Sequence, residues 1–361
     1  MENYKILLLI IILITASCLT AAENESKTGF AYYPFAGYST ETNVMLGSYA
    51  LYTYRPANIP ASYEPSKLEM NIIYTFKNQL RLLIRNKLLL SDGKYNIGLP
   101  LRYYKWPTTF YGIHLQENPD MEEKFDLQAW EIFPYLEIML GKHNAIKATY
   151  YAKGFQILKE DNECGLLCEQ ITGYADYFLS GAELRLQRKT IDNVNFPSKG
   201  YDLSLMGQVY EKSIGSDFDF NVFETDLRVY QAINRQQTFA AQIFFKKVAG
   251  NVPFNELADL GSKLRGYDSH KYISNNLAFT RIEDRVFPWQ KSSFEPFGFV
   301  LFAEAGTTFE HRDDFDYNNL KLSYGFGLRY TLLPKEKLNL RLDIAFSKDG
   351  MEIDIISFEA F

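Results

Sequence analysis

Apolar and polar residues alternate with a period of two along much of the chain. In LNLRLDIAFS, Leu338, Leu340, Leu342, Ile344 and Phe346 share one face, while Asn339, Arg341, Asp343, Ala345 and Ser347 share the other. In LKLSYGFGLRYTLL, Leu320, Leu322, Tyr324, Phe326, Leu328, Tyr330 and Leu332 alternate with Lys321, Ser323, Gly325, Gly327, Arg329 and Thr331. A period of two is what a β-strand with one apolar and one polar face requires. Strands of soluble sandwiches are usually about five or six residues long. These run to ten or more, the length that crosses a bilayer at a tilt.

The same pattern predicts strands at 29–38, 43–54, 67–77, 79–90, 94–106, 127–140, 143–155, 176–188, 200–211, 218–232, 236–246, 276–287, 294–307, 319–331, 336–347 and 350–361. That makes about sixteen, an even number, as a closed bacterial barrel demands. The alternation slips near Trp130 and near Phe223, where bulges are expected. Pro100 and Pro134 fall inside strands, where proline removes a ladder donor. Short connections at 91–94, 141–144, 234–237 and 332–337 fall at alternate junctions, and that side is assigned to the periplasm. The segments 107–126, 156–175, 247–275 and 308–318 are longer and read as extracellular loops. Two connections, 55–66 and 188–199, are long yet fall on the periplasmic side. The expected fold is thus all-β: a membrane β-barrel of antiparallel strands.

Composition agrees with a barrel that is apolar outside and polar inside. There are 28 Phe and 26 Tyr, while charged residues make up 23% and mean hydropathy is −0.22. A helical membrane protein needs several apolar runs of about twenty residues, and only the N-terminus comes close. Residues 1–22 read as a signal peptide: Lys5 charges the n-region, Ile6 to Ile14 are apolar, and Thr20-Ala21-Ala22 precedes Glu23. A lipobox ending at Cys18 is the rival, but Thr15 stands where it wants an aliphatic residue. The barrel domain is then 23–361. A net charge of −6, without a basic tract interleaved with aromatics, excludes nucleic acid as a partner.

Candidate chemistry is sparse. Cys164 and Cys168 lie in ECGLLCEQ, in an expected extracellular loop, where a disulfide is the leading reading. A zinc site needs two more ligands, and none is near. His114, His143, His270 and His311 are scattered. No nucleophile elbow or P-loop occurs, so no enzyme, metal or cofactor is expected. Glu310, Asp313, Asp314 and Asp316 read as a solvated loop.

GSKLRGYDS at 261–269, holding Leu264, Arg265, Gly266 and Tyr267, resembles the [VL]-R-G-[FY] motif in the sixth extracellular loop of the BamA/TamA-like outer-membrane assembly family, also called the bacterial surface antigen family. Other segments follow in that family's order. TIDNVNFPSKGYDLSL at 190–205 looks like its F-P-x-x-G turn. GFVLFAEAG at 298–306 looks like its F-x-D-x-G strand, with Glu304 in place of Asp. SYGFGLRY at 323–330 looks like its G-x-G-x-R strand, PFAGYSTETNVMLG at 34–47 resembles its first hairpin, and Phe361 matches the aromatic C-terminal barrel signal. The resemblance covers about 30–361.

In that family the loop folds back into the barrel and its Arg meets an acid on the lumen wall. The resemblance implies a lumenal ion pair between Arg265 and Glu304, read as a structural brace. It implies that Gly325 and Gly327 leave wall space for the loop tip, unless they serve only to bend the strand. Family members that insert or secrete proteins usually carry POTRA modules before the barrel, and none is evident here between leader and first strand. The expected location is the bacterial cell outer membrane. Two functions follow as expectations: assistance to protein or lipid insertion or translocation, or a passive channel or surface-antigen barrel. The implied partners are outer-membrane lipids including lipopolysaccharide, outer-membrane protein substrates, or a separate periplasmic protein.

Overall fold

Each alternating segment becomes a strand whose apolar face points outward and whose other face points into a lumen. The computed structural model describes residues 28–39, 43–55, 65–91, 93–113, 122–159, 165–289, 292–311, 314–315, 319–334, 337–357 and 359–361. Among these, the strands form one closed antiparallel barrel. They are β1 (Thr28–Ser39), β2 (Asn43–Tyr54), β3 (Ser66–Thr75), β4 (Leu80–Leu90), β5 (Tyr95–Gly98 and Leu101–Phe110), β6 (Glu123–Ile132 and Tyr135–Leu140), β7 (Asn144–Lys159) and β8 (Tyr177–Lys189). The second half comprises β9 (Gly200–Tyr210), β10 (Phe220–Ala232), β11 (Gln237–Gly250), β12 (Asn276–Val286), β13 (Phe297–Phe309), β14 (Lys321–Leu333), β15 (Leu338–Ser347) and β16 (Gly350–Ser357). The leader lies outside the described residues.

The outward face is the apolar belt of a membrane-spanning barrel. Leu68, Met70, Ile72 and Tyr74 of β3 are exposed on it, as are Leu322, Tyr324, Phe326 and Leu328 of β14. Near one rim, Trp289 packs on Phe294 and Phe299, and Phe297 on Tyr330. Such rings suit the polar–apolar boundary of a bilayer.

The prolines interrupt strands without shifting them. Leu99-Pro100 splits β5 and Phe133-Pro134 splits β6. The two gaps sit side by side, with Phe133 N donating to the Pro100 carbonyl at 3.1 Å. The pairing on either side keeps one register.

The expected bulges are absent. Pairing runs unbroken through Trp130 and through Phe223. The alternation slips there because the lumen itself changes character. Toward the rim with the longer loops, the inward residues Phe125, Leu127 and Ala129 of β6 and Phe220 and Val222 of β10 are apolar and buried. Deeper in, the inward residues become Glu131 and Glu224, Asp226 and Arg228. A register irregularity occurs instead in β14, between Thr331 and Leu333.

The apolar tier is a core. Phe110, Phe125, Phe155, Tyr177, Tyr210 and Phe220 from the wall meet Leu167, Phe254, Leu257 and Ile273 from loops. Phe254 packs edge-on against Phe110 and Phe125, with ring centroids 5.1 and 5.7 Å away. Burial of each such ring contributes on the order of 2 kcal/mol or more. The loop after β11 therefore folds into the barrel as a packed plug. A two-stranded ribbon, Ala258–Asp259 with Ile273–Ser274, stiffens it.

The turn between β8 and β9 is held by Asp192. Its carboxylate accepts hydrogen bonds from Ser198 N at 2.8 Å, Ser198 Oγ at 2.5 Å and Lys199 N at 3.2 Å. Partial burial pushes its pKa up, but these hydrogen bonds outweigh it and hold the carboxyl below the usual range. A lowered folded pKa stabilises the fold above the ordinary carboxylate value, and that stability is lost as pH falls through the lowered one. Asp192→Asn is expected to lower the unfolding midpoint at neutral pH by an amount that shrinks in acid. Urea titrations of both proteins at neutral and acid pH check this, and a difference that grows in acid contradicts it.

Candidate functional site

The lumen half bounded by β11 to β16 is filled by a charged cluster built around Arg265. The loop reaches it because Leu264 is buried with Leu260, Phe244, Leu277 and Phe279. Gly266 follows with φ +83°, a left-handed turn open to glycine. Gly266 N donates to Glu352 Oε2 at 2.7 Å, its carbonyl accepts from Ser347 Oγ, and Tyr267 OH donates to the Leu322 carbonyl at 2.8 Å. The L-R-G-Y tetrapeptide is thus fixed on the β14–β16 wall.

The Arg265 guanidinium meets three carboxylates. Nη2 lies 2.7 Å from Glu304 Oε1 and 2.8 Å from Glu283 Oε1, and Nη1 lies 3.0 Å from Asp343 Oδ2. The Arg265 backbone N donates to Glu304 Oε2 at 2.8 Å. The flat face of the guanidinium stands 3.5 Å from the Phe302 ring centroid. Burial works against its charge, but Glu304, Glu283 and Asp343 outweigh this and raise its pKa.

More arginines extend the cluster. Arg285 pairs with Glu283 at 2.8 Å, and Arg329 pairs with Asp343 at 2.6 Å. Arg281 donates to the Lys263 carbonyl at 2.6 Å. Glu283 and Arg285 were not singled out from sequence, although Arg281, Glu283 and Arg285 alternate along one face of β12. A charged triplet at period two is the signal that points to them. Asp343 and Arg329 already stood on the polar faces of their strands.

Gly325 and Gly327 sit on this wall. A Cβ on Gly325 would collide with the Ile344 carbonyl oxygen and come within 2.6 Å of the Phe302 ring. On Gly327 it would collide with Asp343 Oδ1 and come within 2.6 Å of Arg329 Nη1. The room they leave is taken by Phe302 and by the Asp343–Arg329 pair, which in turn hold Arg265, rather than by the loop tip.

The motifs and the barrel now stand in one geometry, and residues 109–360 match the Omp85 superfamily domain. The chain belongs to the Omp85 superfamily. The barrel is similar to that of BamA from Haemophilus ducreyi lacking POTRA domains 1–3, with a TM-score of 0.65 at 12% identity over 93% of this chain and 71% of that one. CdiB from Acinetobacter baumannii gives 0.62 at 12% identity, and CdiB from Escherichia coli 0.61 at 10%. Each covers 93% of this chain, which spans only 60% and 64% of the two CdiB chains. At these identities the likeness shows the fold. No curated protein matches the sequence.

Other positions of this Omp85 barrel differ from expectation or lie outside the described residues. Phe361 does not end the last strand. β16 stops at Ser357, and residues 359–361 turn into the lumen. Phe361 is buried against Tyr230, with its backbone oxygen 3.0 Å from Arg285 Nη2. Glu359 pairs with Arg329 at 2.8 Å. Turned inward, Glu359 meets the buried Arg329 guanidinium, which needs a carboxylate partner there. Cys164 lies outside the described residues, as do Asp313 and Asp316. Cys168 is half-buried and a free thiol among the described residues, and no metal-holding cluster occurs among them.

Proposed function

We propose that this chain is a bacterial outer-membrane assembly barrel that opens at the seam between β1 and β16 to incoming strands of client proteins. The observation that carries this reading is the seam. β1 pairs with β2 through twelve residue pairs, but among the described residues it pairs with β16 through only Tyr38↔Ile355 and Ser39↔Asp354. The ladder between the first and last strands is thus short, and a short seam is where an incoming strand can add. The lumenal cluster supports the same reading by holding β13 to β16 rigid while the seam stays short. Membership of the Omp85 superfamily and likeness to BamA and CdiB barrels fit it.

A strain lacking the protein is expected to lose other outer-membrane barrels from its envelope proteome. An unchanged proteome together with an unchanged envelope lipid profile sinks the idea. A second test locks the seam. Tyr38 and Ile355 are opposite one another, and antiparallel partners lie within disulfide reach. Tyr38→Cys with Ile355→Cys should abolish complementation when oxidised and restore it when reduced. Full complementation by the oxidised form argues against an opening seam.

A further inference from the structure

The two halves of the lumen are unlike. Around Arg265 the side chains are closed off: Arg285 and Arg329 are both 0% exposed. Across the lumen, on β3 to β7, inward cations stand in open space, with Arg85 60% and Arg102 40% exposed. Register places Arg81, Arg85 and Arg102 together. Arg81 and Arg85 share the inward face of β4, and Arg102 lies opposite Leu83 between them. Lys87 and Lys147 add to the same wall.

Three acids on this wall, Glu69, Glu131 and Glu137, face Arg81, Arg85, Arg102, Lys67 and Lys147. Glu69 is shared, 2.9 Å from Lys67 and 3.7 Å from Arg85. Glu131 lies 3.1 Å from Arg102, and Glu137, which accepts from Asn96 at 2.6 Å, stands opposite Lys147. The principal charged neighbours of Arg81 among the described residues are Arg102 and Arg85. Three guanidiniums this close in a narrow lumen repel one another unless water and mobile anions screen them.

We propose that the lumen along β3, β4 and Arg102 of β5, beside the packed plug, is an anion-selective path for small phosphate- or carboxylate-bearing solutes and inorganic anions. Cations lining one wall raise the local anion concentration and exclude potassium, which is how charged rings confer selectivity on pores. This is independent of strand insertion at the seam, because it uses the wall on the other side of β2.

The test is the reversal potential of purified full-length protein in planar bilayers under a potassium chloride gradient. Chloride should be preferred over potassium by about tenfold, the low end of what a cleft of one charge sign achieves. Arg81→Gln, Arg85→Gln and Arg102→Gln combined should abolish or invert that preference, since the lumen wall then loses three positive charges while Glu69 and Glu131 stay in place. A closed wild-type lumen, a potassium preference, or an unchanged chloride preference in the triple variant overturns the proposal. Should the triple variant fail to insert, tripolyphosphate added to wild type decides: it should block the current, and an unblocked current overturns the proposal.

Discussion

Arg265→Ala is expected to destabilise the barrel by about 3–5 kcal/mol, the cost of leaving buried charges without their partner. Glu304, Glu283 and Asp343 all lose one guanidinium at once. Arg285 and Arg329 still neutralise Glu283 and Asp343, but among the described residues Glu304 keeps only Arg281 as an ion-pair partner, at 3.9 Å. The loop is then held by Phe254 and by the Lys153–Glu256 pair at 2.9 Å, so its tip should detach before its base. Two measurements check this in detergent: the urea midpoint, and protease cleavage within 261–272. Arg265→Lys should rescue little, because one ammonium cannot reproduce a planar fork that meets three acids while stacking on Phe302. Wild-type stability and an uncut loop in Arg265→Ala would show that the cluster braces nothing.

The outer wall was legible in the sequence because its rule is uniform. Lipid contacts every outward position of β14 and β15, so alternation there reads directly as orientation. The lumen wall obeys no such rule. It is apolar where loops pack on it, at Phe125 and Phe220, and ionic below, at Glu131 and Asp226. A pattern of apolarity cannot tell lipid from a buried loop, and what looks like a slipped register is a change of neighbour. The loop motif named Arg265, and the likeness to the F-x-D-x-G strand named Glu304. The rest of the cluster depends on which strands are adjacent, and Glu283 meets Arg265 only because β12 and the preceding loop fold over each other. Phe361 was misplaced for a similar reason. The inward turn after Ser357 answers to Arg329 and Arg285, which lie 30 and 76 residues away in sequence.

Glu283→Gln is expected to be nearly as damaging as loss of Arg265, although no motif marks Glu283. Its two oxygens divide between two guanidiniums, Oε1 to Arg265 at 2.8 Å and Oε2 to Arg285 at 2.8 Å. It is wholly enclosed, so the amide replaces a charge that water cannot supply. Arg265 keeps Glu304 and Asp343, whereas Arg285 is left with the Phe361 oxygen at 3.0 Å and the rings of Phe196, Tyr230 and Phe361. The larger share of a loss of about 3 kcal/mol or more should therefore come from stranded Arg285. A double variant separates the two. Glu283→Gln with Arg285→Met removes the stranded charge and should recover part of the stability, because replacing both members of a buried pair with neutral groups is often nearly neutral. Recovery should stay incomplete, since methionine cannot donate to Phe361 and the inward segment 359–361 loosens. Urea midpoints of the two single variants and the double give the coupling. Strict additivity would mean that Glu283 and Arg285 act separately and that the β12 triplet is not the spine joining the loop to the inward segment.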